Sequence, residues 1–315
     1  MNPIPLIVIV GPTASGKTTI AVEVSKQRNG EVVSADSMQI YKYMNIATAK
    51  PTPEETDGIR HHLIDFLEPT ESFSVVDYCE AAGACIRDIR AKGKLPVVVG
   101  GTGLYVRSLI ENLSFPEAKA DYALREKLKT LAETAGADFL LDELMKVDAQ
   151  TARSLHPNNL CRIVRALEIY YTTGIPMSEH IAASRMQASP YESCIIGLDY
   201  RDRKVLYERI DRRVDEMVNN GLLEEARAFI GRYTEGTAAQ AIGYKELIPY
   251  FNGEVTLEQA VEKLKQETRR YSKRQRTWFR KEDGVHWVYA DDYDCSGDLV
   301  TCVVRIIDES GITAR

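Results

Sequence analysis

The sequence predicts an α/β protein, a parallel sheet flanked by helices in a doubly wound arrangement, with a mainly helical insertion. Three observations carry that reading. Short Val/Ile-rich runs ("LIVIV", "EVVSA", "LPVVVG") alternate with helical patterns through the first hundred residues. The first run leads directly into the glycine-bearing stretch "GPTASGKTTI" at 11–20. From about residue 114 no β-rich run occurs until "SCIIGLD" at 193–199. Continuous apolar runs without polar alternation suit strands covered on both faces, hence a parallel sheet between helices.

Taken in order, the pattern gives a strand at 6–10, a helix from 16 to about 27, a strand at 31–35, a helix near 74–91 and a strand at 95–100. Asn29-Gly30 and Lys92-Gly93 stand where helix C-terminal signals belong. The helical insertion is entered at Phe115-Pro116 and left near Ser189-Pro190, which divides the chain into a core of 1–115 and 190–315 and an insertion of 116–189. Within it, His156-Pro157 marks a helix start and Gly174 to Pro176 its end. "CIIGLD" returns to the sheet, and two long helices follow at about 202–219 and 256–282, separated by "EGTAAQAIGYKEL".

At 315 residues the chain can bury a full core, and 44% hydrophobic with 27% charged residues places it among ordinary soluble globular proteins. No apolar run approaches the roughly 20 residues that span a bilayer, and the first residues lack the parts of a secretion signal. A cytoplasmic protein without a membrane partner is expected. The six cysteines (79, 85, 161, 194, 295, 302) show no C-x-x-C and no His at ligand spacing, so reduced, mostly buried thiols are expected. His61-His62, adjacent on a strand, would point to opposite faces and not share a metal. The net charge of −6 argues against a nucleic-acid partner, yet "KLKQETRRYSKRQRTWFRK" at 263–281 is strongly basic.

Gly11, Gly16, Lys17 and Thr18 fit G-x-x-x-x-G-K-[ST] in the required context, after a strand and opening a helix. Such a P-loop offers backbone N–H groups to anionic oxygens, a cation in Lys17 and a Mg²⁺-ligating hydroxyl in Thr18. The next strand ends in "SADSMQIY", which places Asp36 at its carboxyl tip, where ligands of open parallel sheets sit. There Asp36 can bind Mg²⁺, hold a substrate hydroxyl or take a proton, and an N-cap role stays open. "VVVGGTGLY" lacks the acid that helps position Mg²⁺ in many P-loop ATPases; its glycines allow either close ligand approach or a tight turn.

In "DRKVLYERIDRRVDEMV", Leu206, Ile210, Val214 and Met217 form an apolar stripe with Arg213 on its inward edge. An inward arginine needs an anion, either a carboxylate partner or a diphosphate. The last long helix carries an inward stripe of Leu257, Val261, Leu264, Thr268, Tyr271, Gln275 and Trp278. Arg269, Lys273, Arg276 and Arg280 form a basic column beside it, and Arg270, Arg274 and Lys281 another, consistent with a nucleic-acid backbone track or a solvated face.

Taken together, "GPTASGKT", "SADSMQIY", "ATAKPT", "HHLID", "GGTGLY", "HPNNLCRIVRALE", "QAIGYKE" and "KQETRRYSKRQRTWFR" resemble the tRNA dimethylallyltransferases, in order from about residue 5 to 282. The resemblance implies a P-loop NTPase-like core and transfer of a dimethylallyl group from its diphosphate, with Mg²⁺, to the N6 amine of the adenosine just 3′ of a tRNA anticodon. It implies that Asp36 is the general base and that Gly11, Thr13, Ala14, Ser15, Gly16, Lys17, Thr18 and Arg213 hold the diphosphate. Lys17, Thr18 and Arg213 are then catalytic with Asp36, and Thr18 ligates the metal with Asp36 as second candidate. It implies tRNA contacts from Asp36, Ser37, Met38, Gln39, Thr102, Arg125, Asn158, Asn159, Leu160, Cys161, Arg162, Gln240, Ala241, Ile242, Gly243, Tyr244 and Lys245. The same holds for Lys273, Arg274, Gln275, Arg276, Thr277, Trp278, Phe279 and Arg280. Met38 stands where many members have Arg, and Ala47 where "IGTAKP" is commoner. The resemblance is to the bacterial type, without the zinc-finger extension of eukaryotic members, and a monomer acting on the anticodon stem-loop is expected. Transfer to free adenine nucleotides, small-molecule kinase activity and nucleotide-dependent RNA binding are the alternatives.

Overall fold

A computed structural model describes residues 3–113, 121–185 and 188–313. They form an α/β fold whose six strands are β1 (Ile4–Val10), β2 (Gly30–Ser34), β3 (His61–His62), β4 (Leu95–Gly100), β5 (Tyr191–Asp199) and β6 (Val285–Tyr289). The sheet order is β3-β2-β4-β1-β5-β6 and every pairing is parallel. β1 connects leftward past β4 to β2, whereas β4 connects rightward past β1 to β5, so the chain reverses direction between β1 and β4. Their carboxyl ends meet in register at Val10 and Gly100. Ligands of open parallel sheets bind at such a switch point.

The apolar runs of the strands are continuous because both faces are covered. Ile7 and Ile9 of β1, with Val32, Val97 and Ile196, pack against Ile20 and Val24 of the Lys17–Gln27 helix and Val303 and Ile307 of the Ser296–Glu309 helix. Leu6, Val8 and Val10 face the other way, with Val33 and Val98, onto Tyr78, Ile86 and Ile89 of the Val75–Ala91 helix and onto Phe279. A third cluster gathers Ile40, Tyr41 and Met44 of the loop after β2 with Val214, Phe229 and Leu264 of the helices Arg203–Asn219, Leu222–Ile230 and Leu257–Phe279, and with Tyr244 from the turns before residue 248.

The chain divides into one unit of Met1–Ile110 and Pro190–Arg315 and a second of Glu111–Ser189. The expected junction at Phe115-Pro116 lies outside the described residues. The second unit holds the helices Tyr122–Ala135, Ala137–Val147, Ala149–Ser154, Leu160–Thr173 and Met177–Arg185 around Leu128, Leu140, Leu144, Ile163 and Leu167. Its fully buried Glu168 accepts from Asp121 N and Arg125 Nε and pairs with Arg165.

Several expectations need correction. The helix after His156-Pro157 begins only at Leu160, with Asn159 at its N-cap. Its end is as read, since Gly174 adopts the left-handed C-cap at φ +73°. All six cysteines are free, but only Cys194 is buried, and Cys161 and Cys295 are exposed. Strands β3 and β6 and the helices at 222–230 and 296–309 carried no assignment; β3 is two residues long, too short for any periodicity to register. His62 pairs with Glu31 and His61 bonds Ile59 O, so each has its own partner.

Candidate active site

The loop between β1 and the Lys17–Gln27 helix is built on backbone geometry. Gly11 lies at φ +144°, and a Cβ there would stand 2.1 Å from Leu198 O of β5. Gly16, at φ +90°, is the helix N-cap and makes no side-chain cap bond, and the first turn carries no acid. The partial positive charge of that helix end is therefore uncompensated by its own residues. Lys17 Nζ donates to Pro12 O at 2.6 Å, and Arg213 Nη1 donates to Thr13 Oγ1 at 3.2 Å. Among the described residues no carboxylate lies within ion-pairing distance of either cation, so the carboxylate-partner reading of Arg213 fails.

Both cations feel this crowding. Burial, then repulsion from Arg213, lowers the Lys17 ammonium to about 7, with Asp36 opposing. Burial also lowers Arg213, against the attraction of Glu55, Asp36 and Glu216. A bound polyanion must favour protonated Lys17, so between about pH 7 and the higher bound-state value, binding takes up a proton and affinity falls as pH rises. Calorimetry of inorganic pyrophosphate binding at pH 8, in buffers of different ionisation heat, should register net proton uptake. The uptake should vanish below pH 7, where both states hold the proton; none at pH 8 would remove Lys17 from the anion site.

Asp36 lies two residues past β2, and its Oδ1 accepts from Met38 N at 2.8 Å and Gln39 N at 3.3 Å. The N-cap reading thus survives as a turn cap on one oxygen, while Oδ2 has no hydrogen-bond partner among the described residues. Thr102 Oγ1 accepts from Ser37 N at 3.0 Å and fixes the segment beside it. The glycines of "GGTG" serve the chain itself. A Cβ on Gly101 would fall 2.0 Å from Gln275 Nε2, and one on Gly103 would fall 2.2 Å from the Trp278 ring. They let the Leu257–Phe279 helix approach, and its buried Gln275 accepts from Thr13 N at 2.8 Å and donates to Gly101 O at 3.0 Å.

These groups line one cavity of about 320 Å³. Its lining includes the polar Thr13, Lys17, Thr18, Asp36 and Arg213 and the apolar Met38, Ile210, Val214, Met217, Ile242 and Leu264. Ala14, Ser37, Gln39, Gln240, Ala241, Gly243, Lys245, Arg274 and Gln275 also line it, whereas Gly11, Ser15, Gly16 and Thr102 do not. Asp36 is the only carboxylate among the described lining residues. Sequence reading missed Tyr271 and Ile210 as walls, although both lie on recognised inward stripes. It also missed Glu225, whose carboxylate accepts from the N–H groups of Asn45, Ile46 and Ala47 and from Tyr244 OH at 2.8–2.9 Å. That bracket fixes the loop bearing Ala47, and no local pattern announces it.

The basic helix requires the largest correction. Arg276 is 6% exposed, its Nε pairs with the fully buried Asp199 at 2.9 Å, and its Nη2 donates to Tyr200 O at 3.2 Å. Phe279 is a core residue, and Trp278 packs on Gly103. Arg269 pairs with Asp211 and Glu262, and Arg280 reaches Asp199 at 3.3 Å. The first basic column is thus largely tied to protein carboxylates, which leaves Lys273, Arg274, Thr277 and Lys281 exposed. Tyr244 is likewise buried and does not line the cavity, whereas Ala241, though buried, does. In the second unit, Asn158, Asn159, Cys161 and Arg162 are exposed and Leu160 half-buried, while Arg125 gives its Nε to Glu168.

The family model described as IPP transferase matches residues 39–282. A tRNA dimethylallyltransferase of Caldanaerobacter subterraneus subsp. tengcongensis is 53% identical over 299 residues, 94% of this chain and 95% of that protein. The full-length tRNA isopentenylpyrophosphate transferase of Bacillus halodurans is 44% identical and superposes with a TM-score of 0.72, covering 98% of both chains. A eukaryotic dimethylallyltransferase acting on tRNA is 30% identical with a TM-score of 0.79, covering 97% of this chain and 80% of that one. With a cationic loop, one free carboxylate oxygen and apolar walls in a single cavity, and with these likenesses across nearly its whole length, the chain belongs to the tRNA dimethylallyltransferase family.

Proposed function

We propose that the protein transfers a dimethylallyl group from dimethylallyl diphosphate to the N6 amine of the adenosine just 3′ of a tRNA anticodon. The observation that carries this reading is the lining of the cavity: Lys17 and Arg213 without ion-paired carboxylates among the described residues, Asp36 as the one described lining carboxylate, and aliphatic and thioether side chains in the same cavity. The diphosphate would sit on the loop at Thr13, Ala14, Lys17 and Thr18, and the five-carbon group against the apolar walls.

The adenine N6 lone pair is delocalised into the ring and attacks poorly. Asp36 Oδ2 accepts the N6 proton as the N–C bond forms, while its Oδ1 stays anchored by Met38 and Gln39. The allylic C–O bond breaks and its electron pair leaves with pyrophosphate, whose growing charge Lys17 and Arg213 stabilise. The residues fit a Mg²⁺ ion: the Thr18 hydroxyl and the unpartnered Asp36 oxygen are hard donors lining the same cavity, and Mg²⁺ is usually held by few protein oxygens plus phosphates. When bound there it would neutralise diphosphate charge. With one lining carboxylate, Asp36 is best kept for the proton and Thr18 for the ion. Exposed Lys245, Lys273, Arg274 and Lys281, with Arg162 of the second unit, are cations available to meet RNA phosphates.

The adenosine must leave its stack to reach a cavity at the sheet edge. Comparing AMP with an anticodon stem-loop as acceptor of labelled dimethylallyl diphosphate tests the acceptor directly. Label is expected on the stem-loop and to be lost when that adenosine is replaced by guanosine; label on AMP alone would contradict the reading.

A further inference from the structure

The phosphate loop is gripped from outside by a side chain with no role in the chemistry above. Ala14 lies at φ +62°, in the left-handed region, which a Cβ disfavours by a factor of roughly 5–30. The loop meets its other positive-φ positions with glycine, at Gly11 and Gly16, but not this one. The carbonyl of Ala14 accepts Arg209 Nε–H at 3.2 Å. Arg209 stands one helical turn before Arg213, so the two arginines rise from the same side of the Arg203–Asn219 helix. One reaches Thr13 Oγ1 inside the cavity, and the other reaches the loop backbone at its rim.

The grip is pre-set by packing. The Arg209 guanidinium lies 5.5 Å from the Tyr200 ring centre. Ala14 packs against the cluster of Tyr200, Leu206 and Ile210, the last two from the same helix as Arg209. Arg209 is exposed and forms no ion pair with a carboxylate among the described residues, so Ala14 O and the Tyr200 ring are its observed partners.

We propose that Arg209 is a positioning residue that keeps Ala14 in its left-handed turn and so maintains the diphosphate-binding shape of the loop. The proposal rests on the reading of this loop as a diphosphate site. Without the Arg209 bond, Ala14 would relax toward ordinary backbone, and the apparent affinity would fall with the population of the competent loop. Glycine at position 14 would need no such restraint.

The test is pyrophosphate titration of the full chain as wild type, Arg209→Ala, Ala14→Gly and the double variant. Arg209→Ala is expected to bind about 5- to 30-fold more weakly. The double variant should recover to near wild-type affinity, and Ala14→Gly alone should differ little from wild type. Wild-type affinity in Arg209→Ala would overturn the proposal. So would a double variant as weak as Arg209→Ala, since the loss would then come from the arginine's charge rather than the loop's shape. A wild-type chain that fails to bind pyrophosphate would overturn the diphosphate reading as well.

Discussion

Asp36→Asn is expected to lower turnover by roughly 10²- to 10⁴-fold, the range for loss of a positioned general base, while pyrophosphate affinity is retained. Asparagine keeps an oxygen to accept from Met38 and Gln39 N–H, so the turn after β2 survives and the change falls on the other oxygen, the one with no protein partner. Measured well below pH 7, binding should not weaken, because Lys17 stays protonated there even without the Asp36 charge that raises it, and the anion no longer meets a carboxylate beside Lys17 and Arg213. Steady-state kinetics paired with pyrophosphate calorimetry checks both halves. Loss of binding in step with turnover would make Asp36 a ligand-site residue rather than a base.

Arg276→Ala is expected to destabilise the unit containing the sheet by about 3 kcal/mol, the low end for stripping a buried carboxylate of its partner, because Arg280 still reaches Asp199. Asp199 is fully buried and its Oδ1 already lacks a partner, so little remains to compensate it. Both tryptophans, Trp278 and Trp287, belong to this unit, so denaturant titration followed by their fluorescence reports its unfolding. Lys273→Ala, three residues earlier and exposed, should leave stability unchanged, weaken RNA binding and flatten its salt dependence. A stable Arg276→Ala chain with weakened RNA binding would return Arg276 to the RNA surface.

These two experiments mark where the sequence was and was not legible. The parallel sheet could be read because β1, β2, β4 and β5 are buried on both faces, and burial on both faces writes itself as unbroken apolar runs. β6 escaped because "VHWVY" mixes a polar residue into a short edge strand. The turn from β1 into the Lys17–Gln27 helix was legible because its glycines answer local geometry at fixed spacing. Arg213 was placed inward by helical period alone, and its neighbour Thr13, two hundred positions away, could not be. The basic helix misled because charge is visible in sequence and its partner is not. Arg276 and Lys273 look alike until Asp199, seventy-seven positions from Arg276, is brought beneath the helix by β5. Gln275 was placed inward on a stripe, but its two bonds to the loops that follow β1 and β4 depend on the sheet order.

The central claim is that the loop holds the diphosphate of an allylic donor, and that carbon rather than phosphate is what moves. The most direct test is mass spectrometry of nucleosides released from unmodified tRNA after incubation with the protein, Mg²⁺ and dimethylallyl diphosphate. The expected result is N6-dimethylallyladenosine from the position next to the anticodon, with pyrophosphate released in equal amount and no requirement for ATP. Unaltered adenosine with intact diphosphate, or phosphate transferred from ATP to an acceptor, would contradict it.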